Sequence, residues 1–477
     1  MNTLNQKVSM TEKIGYSLGD CSANLVFQMM MIYQTKFYTD IFGLEGAIAG
    51  TVMLVARIVD AFVDPTVGIL SDRTKTRFGK YRPWVLWTAL PFMVFYILAF
   101  YNPGIEDKGL VALYATVSYT LLMTLYSFNN TPYASLGGVM SSDIKERTSI
   151  TSIRFISATI AQFVVQGLTL PLVSKFSDGG DKAHGWLCTV ALFACIGFFF
   201  LVITFFSARE RITPPAGQKT DTRKDIKDVF SSIPWRAMFI LTLFVFITLA
   251  MWGSAMNYYF ENYVDSDALY AFLDQMGLVA TEATGGASYT ILNAFGLVVD
   301  SADEAYEVGF GVFNMVGALV QFFGVILLSN FLANRYGKKR VFITCLSLTA
   351  VFTALFYFPD ERDVESMFVL NILKSLAYAP TVPLLWAMIA DVADYSEYVN
   401  YRRATGFVFA GVVFALKAGL GIGGAILGFL LSGFGYVSGT EVTQSGSAIH
   451  GIVLSSSLSP AATFLVGVVA LCFYHIT

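Results

Sequence analysis

Residues 68–82 read GILSDRTKTRFGKYR, and residues 328–340 read LSNFLANRYGKKR. Both segments leave a long apolar run and enter a short turn that is crowded with lysine and arginine. Such an internal repeat is typical of transporters that are built from two related halves. We therefore predict that the chain consists of two halves, with this turn at a corresponding place in each.

Composition predicts a membrane protein. Of the 477 residues, 55% are hydrophobic and 14% are charged, and the mean hydropathy is +0.60. A typical soluble chain carries about 25% charged residues. A soluble globule of this composition could not cover its surface with polar groups, whereas a lipid-facing surface needs few of them. The N-terminus lacks the basic and then apolar pattern of a signal peptide, so we expect the first apolar segment to remain as a span.

Apolar runs of about 18 to 25 residues, the length that crosses a bilayer, occur twelve times. The predicted fold is an all-α membrane protein with 12 transmembrane helices. We assign residues 1–208 to an N-terminal six-helix bundle, 209–235 to a linker and 236–477 to a C-terminal six-helix bundle. The predicted spans are 14–39, 46–71, 83–101, 110–137, 149–174, 186–208, 236–262, 305–333, 340–358, 364–391, 403–433 and 449–474.

The basic residues predict which side of the membrane each connection faces. They concentrate in 72–82, 209–236 and 334–340, which fall on one side of a twelve-span chain. That side is cytoplasmic by the positive-inside rule, and both termini share it. The connection 262–304 has no lysine or arginine and several acids. We expect it to be extracytoplasmic, with residues 285–299, which are too short to span, as an interfacial or packed element.

Three charged residues lie inside the second predicted span, in the sequence VARIVDAFVDP (55–65). Arg57, Asp60 and Asp64 fall within roughly 60° of one another on a helix and so form one stripe. A charge at the bilayer centre costs ~3 kcal/mol, and such residues usually carry function. Two carboxylates one turn apart can bind Na⁺ or share a proton. The alternative is a structural ion pair of Arg57 with one aspartate.

Further polar residues lie at membrane depth in other predicted spans. Lys417, near the middle of span eleven, could be a counter-charge to the two aspartates or could extend to an interface. Amides, an arginine and aromatic rings around a cavity suit the hydroxyls and the flat face of a sugar. The asparagines could instead bond a neighbouring helix. The other polar residues are Asp20, Asn24, Asn129, Asn130 and Arg154.

Several segments of the chain match motifs of one transporter family. They are GYSLGD (15–20), FYTDIFGL (37–44), VARIVDAFVDP (55–65), SDRTKTRFGKYRPW (71–84), NNTPYASL (129–136), IADVADYSEY (389–398) and GFGY with QSGSAIHGI (433–452). The chain resembles the glycoside–pentoside–hexuronide:cation symporters, the melibiose-permease family of the major facilitator superfamily, over essentially its whole length. The resemblance implies two six-helix bundles and sugar symport by alternating access, with H⁺ or Na⁺ as coupling ion and no other cofactor.

The resemblance also implies roles for individual residues. Asp60 and Asp64 match the paired aspartates that bind the coupling cation, and Lys417 matches a lysine close to them. Ser127 matches a hydroxyl near the cation, and Arg57 is a candidate charge partner. Together with the polar residues at membrane depth, this gives the predicted substrate-binding residues Asp20, Asn24, Asn130, Tyr133, Arg154 and Lys417.

The chain departs from the family pattern at the sugar and cation sites. Asn24 and Asn130 stand where melibiose-type members have aspartates, and Ala134, with Tyr133 beside it, replaces an aromatic platform. Neutral amides leave an anionic sugar and a neutral glycoside both acceptable. Val63 replaces an asparagine of the family's sodium site, which favours H⁺ and leaves Na⁺ at Asp60 and Asp64 open.

A charge network is expected at the cytoplasmic ends of the helices. We predict that the basic turns 72–82 and 334–340 close this side with acids of span ten, which Arg402 and Arg403 follow. The predicted gate residues are Asp72, Arg73, Arg77, Arg335, Asp391, Asp394 and Glu397.

The sequence therefore predicts a cation-coupled sugar symporter. A lysolipid carrier and a non-transporting sugar sensor are the alternatives, and no nucleophile–base pair suggests an enzyme. We expect a monomer in the bacterial inner membrane whose partners are a small sugar and the bilayer, with no nucleic acid.

Overall fold

The computed structural model describes residues 7–141, 143–177, 180–211, 229–280, 287–400, 405–439 and 442–476. Over these ranges the regular structure is helical, apart from isolated bridges at Thr76–Gly79 and Val279–Val299. The helices are α1 (Met10–Ile32), α2 (Gly46–Arg73), α3 (Arg82–Ala99), α4 (Lys108–Val139), α5 (Ile144–Phe176), α6 (Lys182–Ser207), α7 (Ile233–Asn262), α8 (Ser266–Gln275), α9 (Ala287–Ala294), α10 (Ala305–Tyr336), α11 (Lys338–Leu355), α12 (Val364–Tyr378), α13 (Thr381–Asn400), α14 (Thr405–Gly433), α15 (Gly446–Ser456) and α16 (Leu458–Cys472).

Local chemistry explains where several helices begin. A serine or aspartate precedes the first turn and accepts a hydrogen bond from a backbone N–H that lacks a partner within the helix. Aspartate adds a negative charge at the positive end of the helix dipole. The residues that cap α1, α4, α6, α8, α12 and α15 in this way are Ser9, Asp107, Asp181, Asp265, Asp363 and Ser445.

Ten helical segments in the described ranges are long and apolar enough to cross a membrane. Predicted span one corresponds to α1 followed by a short α-helix, Gln34–Lys36, and a π-helix, Phe37–Ile41. Predicted span nine corresponds to α11, and both spans are helical but more polar. Asp20, Asn24 and Gln28 lie within α1, and three basic residues begin α11. Large apolar side chains are exposed along the helices, as a lipid-facing surface requires. Examples are Phe62, Phe199, Phe206, Leu327 and Phe358.

Two of the predicted spans contain a break in the helix, although each is long and apolar enough to cross a membrane as one span. Span ten, predicted as 364–391, consists of α12 and α13 with a break at Ala379 and Pro380. Pro380 has no N–H to donate to the carbonyl one turn earlier, so the helical hydrogen-bond pattern is interrupted there. Span twelve, predicted as 449–474, breaks at Ser457, where φ is −128° and ψ is −84°.

The chain divides into two compact units. The first comprises Met1–Leu44 and Val55–Gly217, and the second comprises Glu45–Leu54 and Gln218–Thr477. The start of α2 therefore groups with the second unit, where it packs on α14. A Cβ added at Gly50 would lie 2.9 Å from the Cα of Ala425, and one added at Gly428 would collide with the carbonyl of Gly46. Glycine at these positions permits the close approach of the two helices.

Two of the predicted connections are only partly described. In the predicted linker 209–235, residues 212–228 lie outside the described ranges, as do residues 281–286 of the connection 262–304. The rest of that connection contains α8, α9 and a 3₁₀ turn. Buried Leu269 and Leu273 fix one face of α8, whereas Ile291 of α9 is 58% exposed. This part is thus helical and too short to span, and its side of the membrane remains a prediction.

Candidate functional site

Two acids of α2 face two hydroxyls of α4 within the first unit. The Ser127 hydroxyl donates to Asp60 Oδ1 at 2.5 Å. One turn further along both helices, the Thr131 hydroxyl donates to Asp64 Oδ1 at 3.4 Å. Asp60 and Ser127 are buried, and Asp64 and Thr131 are half-buried. We call these four residues the acid–hydroxyl ladder.

The surroundings of the ladder are mostly apolar. Arg57 is also buried, one turn before Asp60, and its Nε lacks a hydrogen-bond partner in the described part of the chain. Val63 lies between the two acids and brings no oxygen. Pro65 cannot donate to the carbonyl one turn earlier in α2, which leaves that oxygen available. The ladder therefore presents carboxylate and hydroxyl oxygens, which are ligands for a small hard cation.

An arginine and an aspartate of neighbouring helices form the second polar feature of this unit. Arg154 Nη2 of α5 lies 3.3 Å from Asp20 Oδ1 of α1. The guanidinium carbon is 5.3 Å from the centroid of the Tyr133 ring and 5.8 Å from that of Tyr16. The Arg154 side chain keeps 27% of its surface exposed. It is therefore held from one side by an ion pair and rings, and it can offer its other N–H groups to a ligand.

The two tyrosines beneath Arg154 lock α1 to α4. Their rings stack with centroids 4.6 Å apart, and each hydroxyl donates to the backbone carbonyl of the other residue. A Cβ at Gly19 would lie 2.5 Å from the Tyr133 ring, so glycine is needed there. Tyr133, predicted to bind substrate, is almost fully buried and directly supports Arg154.

The three asparagines have different environments. Asn129 is buried and donates to Val85 O and Thr88 Oγ1 of α3, so it joins neighbouring helices. Asn24 is half-buried and donates to the Asp20 carbonyl of its own helix. Asn130 is half-buried, and its Nδ2 is 3.4 Å from the Tyr126 hydroxyl. Asn24 and Asn130 thus keep accessible surface that a ligand could contact.

Lys417 lies in the second unit, near the middle of α14, and its side chain is half-buried. Its predicted closeness to the aspartates of α2 remains a prediction.

Only some of the predicted gate residues can be placed. Lys338, at the start of α11, forms an ion pair with Asp391 of α13 at 2.7 Å. Asp394, Arg73, Arg77 and Arg335 are exposed. The side chains of Asp72 and Glu397 and the whole of Arg402 and Arg403 lie outside what the structure describes. The prediction that the two basic turns close on each other is untested.

Two acids that were not predicted as site residues organise the end of the first unit near the turn 72–82. Glu210 accepts hydrogen bonds from the backbone N–H groups of Lys80, Tyr81 and Arg82 at the start of α3. Glu12 binds both Nη atoms of Arg211, at 2.6 and 2.7 Å. These hydrogen bonds with Glu12 raise the pKa of the Arg211 guanidinium. The charged sequence ARER (208–211), at the end of span six, contains Glu210 and Arg211 and could have indicated this network.

Two further polar residues inside predicted spans were not among the predicted site residues. Thr131 follows Ser127 by one helical turn, and this spacing alone could have added it to the cation site. Lys374 is a lysine inside span ten, in the apolar sequence FVLNILKSLAY (368–378).

Comparison with known proteins gives matches along the whole chain. The sequence profile of the family described as MFS/sugar transport protein matches residues 15–287 and 273–477. The inner membrane symporter YicJ of Escherichia coli (strain K12) is 33% identical over 98% of this chain and 93% of its own length. The isoprimeverose transporter of Lactiplantibacillus pentosus is 30% identical over 98% of this chain and 89% of its own length. The crystal structure of the nucleoside transporter NupG shares the fold, with a TM-score of 0.60 and 14% identity over 98% of this chain and 100% of that one.

Proposed function

Because this chain belongs to the MFS/sugar transport family of the major facilitator superfamily, among the glycoside–pentoside–hexuronide:cation symporters, we propose that it couples the entry of a cation to the uptake of a sugar. The observation that carries the proposal is the acid–hydroxyl ladder. Two carboxylates inside the membrane are costly unless they serve an ion or a proton. Each has a hydroxyl donor from α4, which orients the carboxylate for a bound ion.

The coupling ion is H⁺ in our proposal, with Na⁺ as the alternative. Ser127 already donates to Asp60, and Val63 adds no oxygen between the acids. A sodium ion is usually bound by several oxygens, whereas a proton needs one carboxylate. The Asp64 carboxylate is more accessible than that of Asp60, so a proton could enter and leave through it.

Arg154 and the two half-buried amides form the sugar-binding surface in this proposal. The ion pair with Asp20 fixes the guanidinium, whose remaining N–H groups suit vicinal hydroxyl oxygens. Asn24 and Asn130 can both donate to and accept from hydroxyls. The Tyr16–Tyr133 stack positions Arg154 and does not itself contact the sugar.

The charge of the acid–hydroxyl ladder couples cation binding to sugar transport in this proposal. The ladder carries net negative charge when it is empty, and a bound cation neutralises part of it. Since only the fully loaded and the empty carrier should reorient readily, the two ligands move together. We further propose that the protein lies in the bacterial inner membrane, as YicJ does by its name, with both termini in the cytoplasm.

The test is counterflow in proteoliposomes with a panel of glycosides, pentosides and uronides. Each sugar is measured with and without Na⁺ and with and without a pH gradient. We expect at least one sugar to exchange, and an inward pH gradient to drive its accumulation. Exchange of no sugar, or exchange of lysolipids instead, would refute the proposal.

A further inference from the structure

A lysine outside the site described above lies deep inside the second unit. Lys374 of α12 places its ammonium Nζ 2.7 Å from the centroid of the Trp252 ring of α7. Lys374 is ten residues after Val364, where α12 begins, and Trp252 is ten residues before Asn262, where α7 ends. At 1.5 Å per residue, each lies about 15 Å from that helix end. A cation at such depth is costly and is usually functional.

The helices α10 and α12 pack against each other and run in the same direction. Asn371 of α12 donates to the Phe313 carbonyl of α10 at 2.7 Å. A Cβ added at Gly317 would lie 3.0 Å from Nδ2 of the same asparagine, and one added at Gly324 would lie 2.7 Å from the Cβ of Ala379. Since the contacts advance along both chains together, the two helices are parallel.

Lys374 and Asn314 project to the same side of this helix pair. At 100° per residue, Lys374 lies about 90° from the centre of the α12 face that contacts α10, and Asn314 lies about 80° from the centre of the α10 face that contacts α12. The two rotations have opposite senses, and opposite senses on facing parallel helices lead to the same side. Trp252 lies on that side too, because its ring contacts Lys374 and its centroid is 6.4 Å from that of the Phe313 ring.

Three hydrogen-bond donors of this region lack acceptors among the described residues. Lys374 forms no ion pair and no hydrogen bond there. The atoms Trp252 Nε1 and Asn314 Nδ2 are buried and also lack partners in that part of the chain. A buried polar atom without a partner in the protein is commonly satisfied by a water molecule or an ion.

The acids of the neighbouring helices are far from the ammonium group. Glu307 of α10 precedes Asn314 by seven residues, which is about 10 Å along the helix. Glu261 of α7 follows Trp252 by nine residues, which is about 14 Å. Neither carboxylate forms an ion pair with Lys374 in the structure described. The counter-charge can therefore come from an anion in solution.

We propose that Lys374, Trp252 and Asn314 bind a small monovalent inorganic anion, chloride, within the second unit. One ammonium is matched by one negative charge, whereas sulfate brings a second charge that stays uncompensated. Chloride has no hydrogen to donate, so it accepts from all three N–H donors. The ammonium has three donors and can bind the anion while it keeps its cation–π contact with the indole face. The anion connects α7, α10 and α12, because each helix supplies one donor.

The test measures chloride binding by the full chain in detergent. At constant ionic strength in sodium gluconate, radioactive chloride should bind saturably, bromide should displace it, and sulfate should not. Chloride should also raise the midpoint of thermal unfolding relative to gluconate, because a ligand of the folded state stabilises that state. At ten times its Kd, chloride lowers the unfolding equilibrium constant about elevenfold.

Three variants place the anion at this cluster. Lys374→Gln should weaken chloride binding by more than about tenfold and remove the rise of the midpoint. Trp252→Phe keeps an aromatic face but removes the indole N–H, and it should weaken binding about fivefold. Lys175→Gln removes the same charge at an exposed position near the end of α5 and should bind chloride like the wild type.

Two results would refute the site. One is a wild type that binds no chloride saturably and unfolds at the same midpoint in chloride and in gluconate. The other is an undiminished chloride effect in Lys374→Gln, or in Trp252→Phe if Lys374→Gln does not fold, because the anion would then bind elsewhere. None of these measurements requires sugar transport, so their outcome is independent of the proposed function.

Discussion

Ser127 of α4 donates its hydroxyl to the buried carboxylate of Asp60 on α2 at 2.5 Å. Replacing Ser127 by alanine leaves that carboxylate without this donor, which costs about 1–3 kcal/mol. If the coupling ion is H⁺, the pH dependence of uptake should differ from that of the wild type. If the ion is Na⁺, a ligand is lost, and the Na⁺ concentration for half-maximal uptake should rise about tenfold or more.

Uptake measured against pH and against Na⁺ checks this prediction. Ser127→Thr should behave like the wild type because it restores the hydroxyl. Ser118→Ala, which removes a buried hydroxyl of α4 that donates to the Ala115 carbonyl of the same helix, is the control. Identical curves for Ser127→Ala and the wild type would show that the ladder does not bind the coupling ion.

The ion pair between Arg154 and Asp20 should show strong coupling in a double-mutant cycle. Arg154→Gln and Asp20→Asn each leave one charge uncompensated and should weaken sugar binding by about 1–3 kcal/mol. The double variant should lose clearly less sugar-binding free energy than the sum of the two single losses, because it leaves no uncompensated charge. Sugar affinity by calorimetry measures the cycle, and simple additivity would contradict the role of Asp20 in holding Arg154.

The close contact of α2 with α14 predicts an asymmetry between two glycines of one helix. Gly50→Val inserts carbon atoms against the backbone of Ala425 and should destabilise the protein by about 1–3 kcal/mol. Gly68→Val is the matched control, because an added Cβ there meets nothing within 4 Å. Thermal unfolding in detergent should show a lower midpoint for the first variant alone. Equal midpoints would contradict the described packing.

A pH effect is expected at Glu146, which precedes the membrane part of α5. The hydrogen bond from Lys13, at 2.8 Å, lowers the pKa of this carboxyl. A lowered pKa in the folded state means that the contribution to stability is present above the ordinary carboxyl pKa and is lost as the pH falls through the lowered value. Wild type and Glu146→Gln should therefore differ in unfolding midpoint at neutral pH and converge in acid.

Lys13→Gln tests the cause of that pH effect. In this background the pH-dependent effect of Glu146→Gln should be clearly smaller, with the remainder due to the Val8 N–H, which donates to Glu146 at 3.3 Å, and to Lys7. An undiminished pH-dependent difference without Lys13 would show that Lys13 is not the main cause of the lowered pKa.

Much of the fold could be predicted from the sequence because lipid imposes a simple rule. A span must be helical and apolar, so hydropathy located the helices, and the repeated basic turns revealed two halves. The breaks at Pro380 and Ser457 were not predicted. The sequence contains the proline, but a membrane helix can also continue through proline when neighbours satisfy the open carbonyl.

The site could be predicted where a charged residue lies inside an apolar run. Asp60, Asp64 and Arg154 are such residues, and the free energy needed to place a charge inside the membrane is enough to mark them as functional. The roles of Tyr133 and Asn129 could not be predicted, because they depend on contacts that only the structure shows. Tyr133 supports Arg154, and Asn129 joins α4 to α3. Lys374 and Lys417 are both lysines inside an apolar run, but only Lys417 matches a position of the family.

The most direct test of cation-coupled sugar transport is the current that a sugar jump produces in proteoliposomes on a solid-supported membrane. We predict that a neutral glycoside, which carries no charge of its own, drives positive charge inward in the wild type. In Asp60→Asn this current should disappear while sugar counterflow continues, because binding and reorientation no longer require the ion. A wild-type-like current in Asp60→Asn, or counterflow without current in the wild type under every cation and pH condition, would contradict the account.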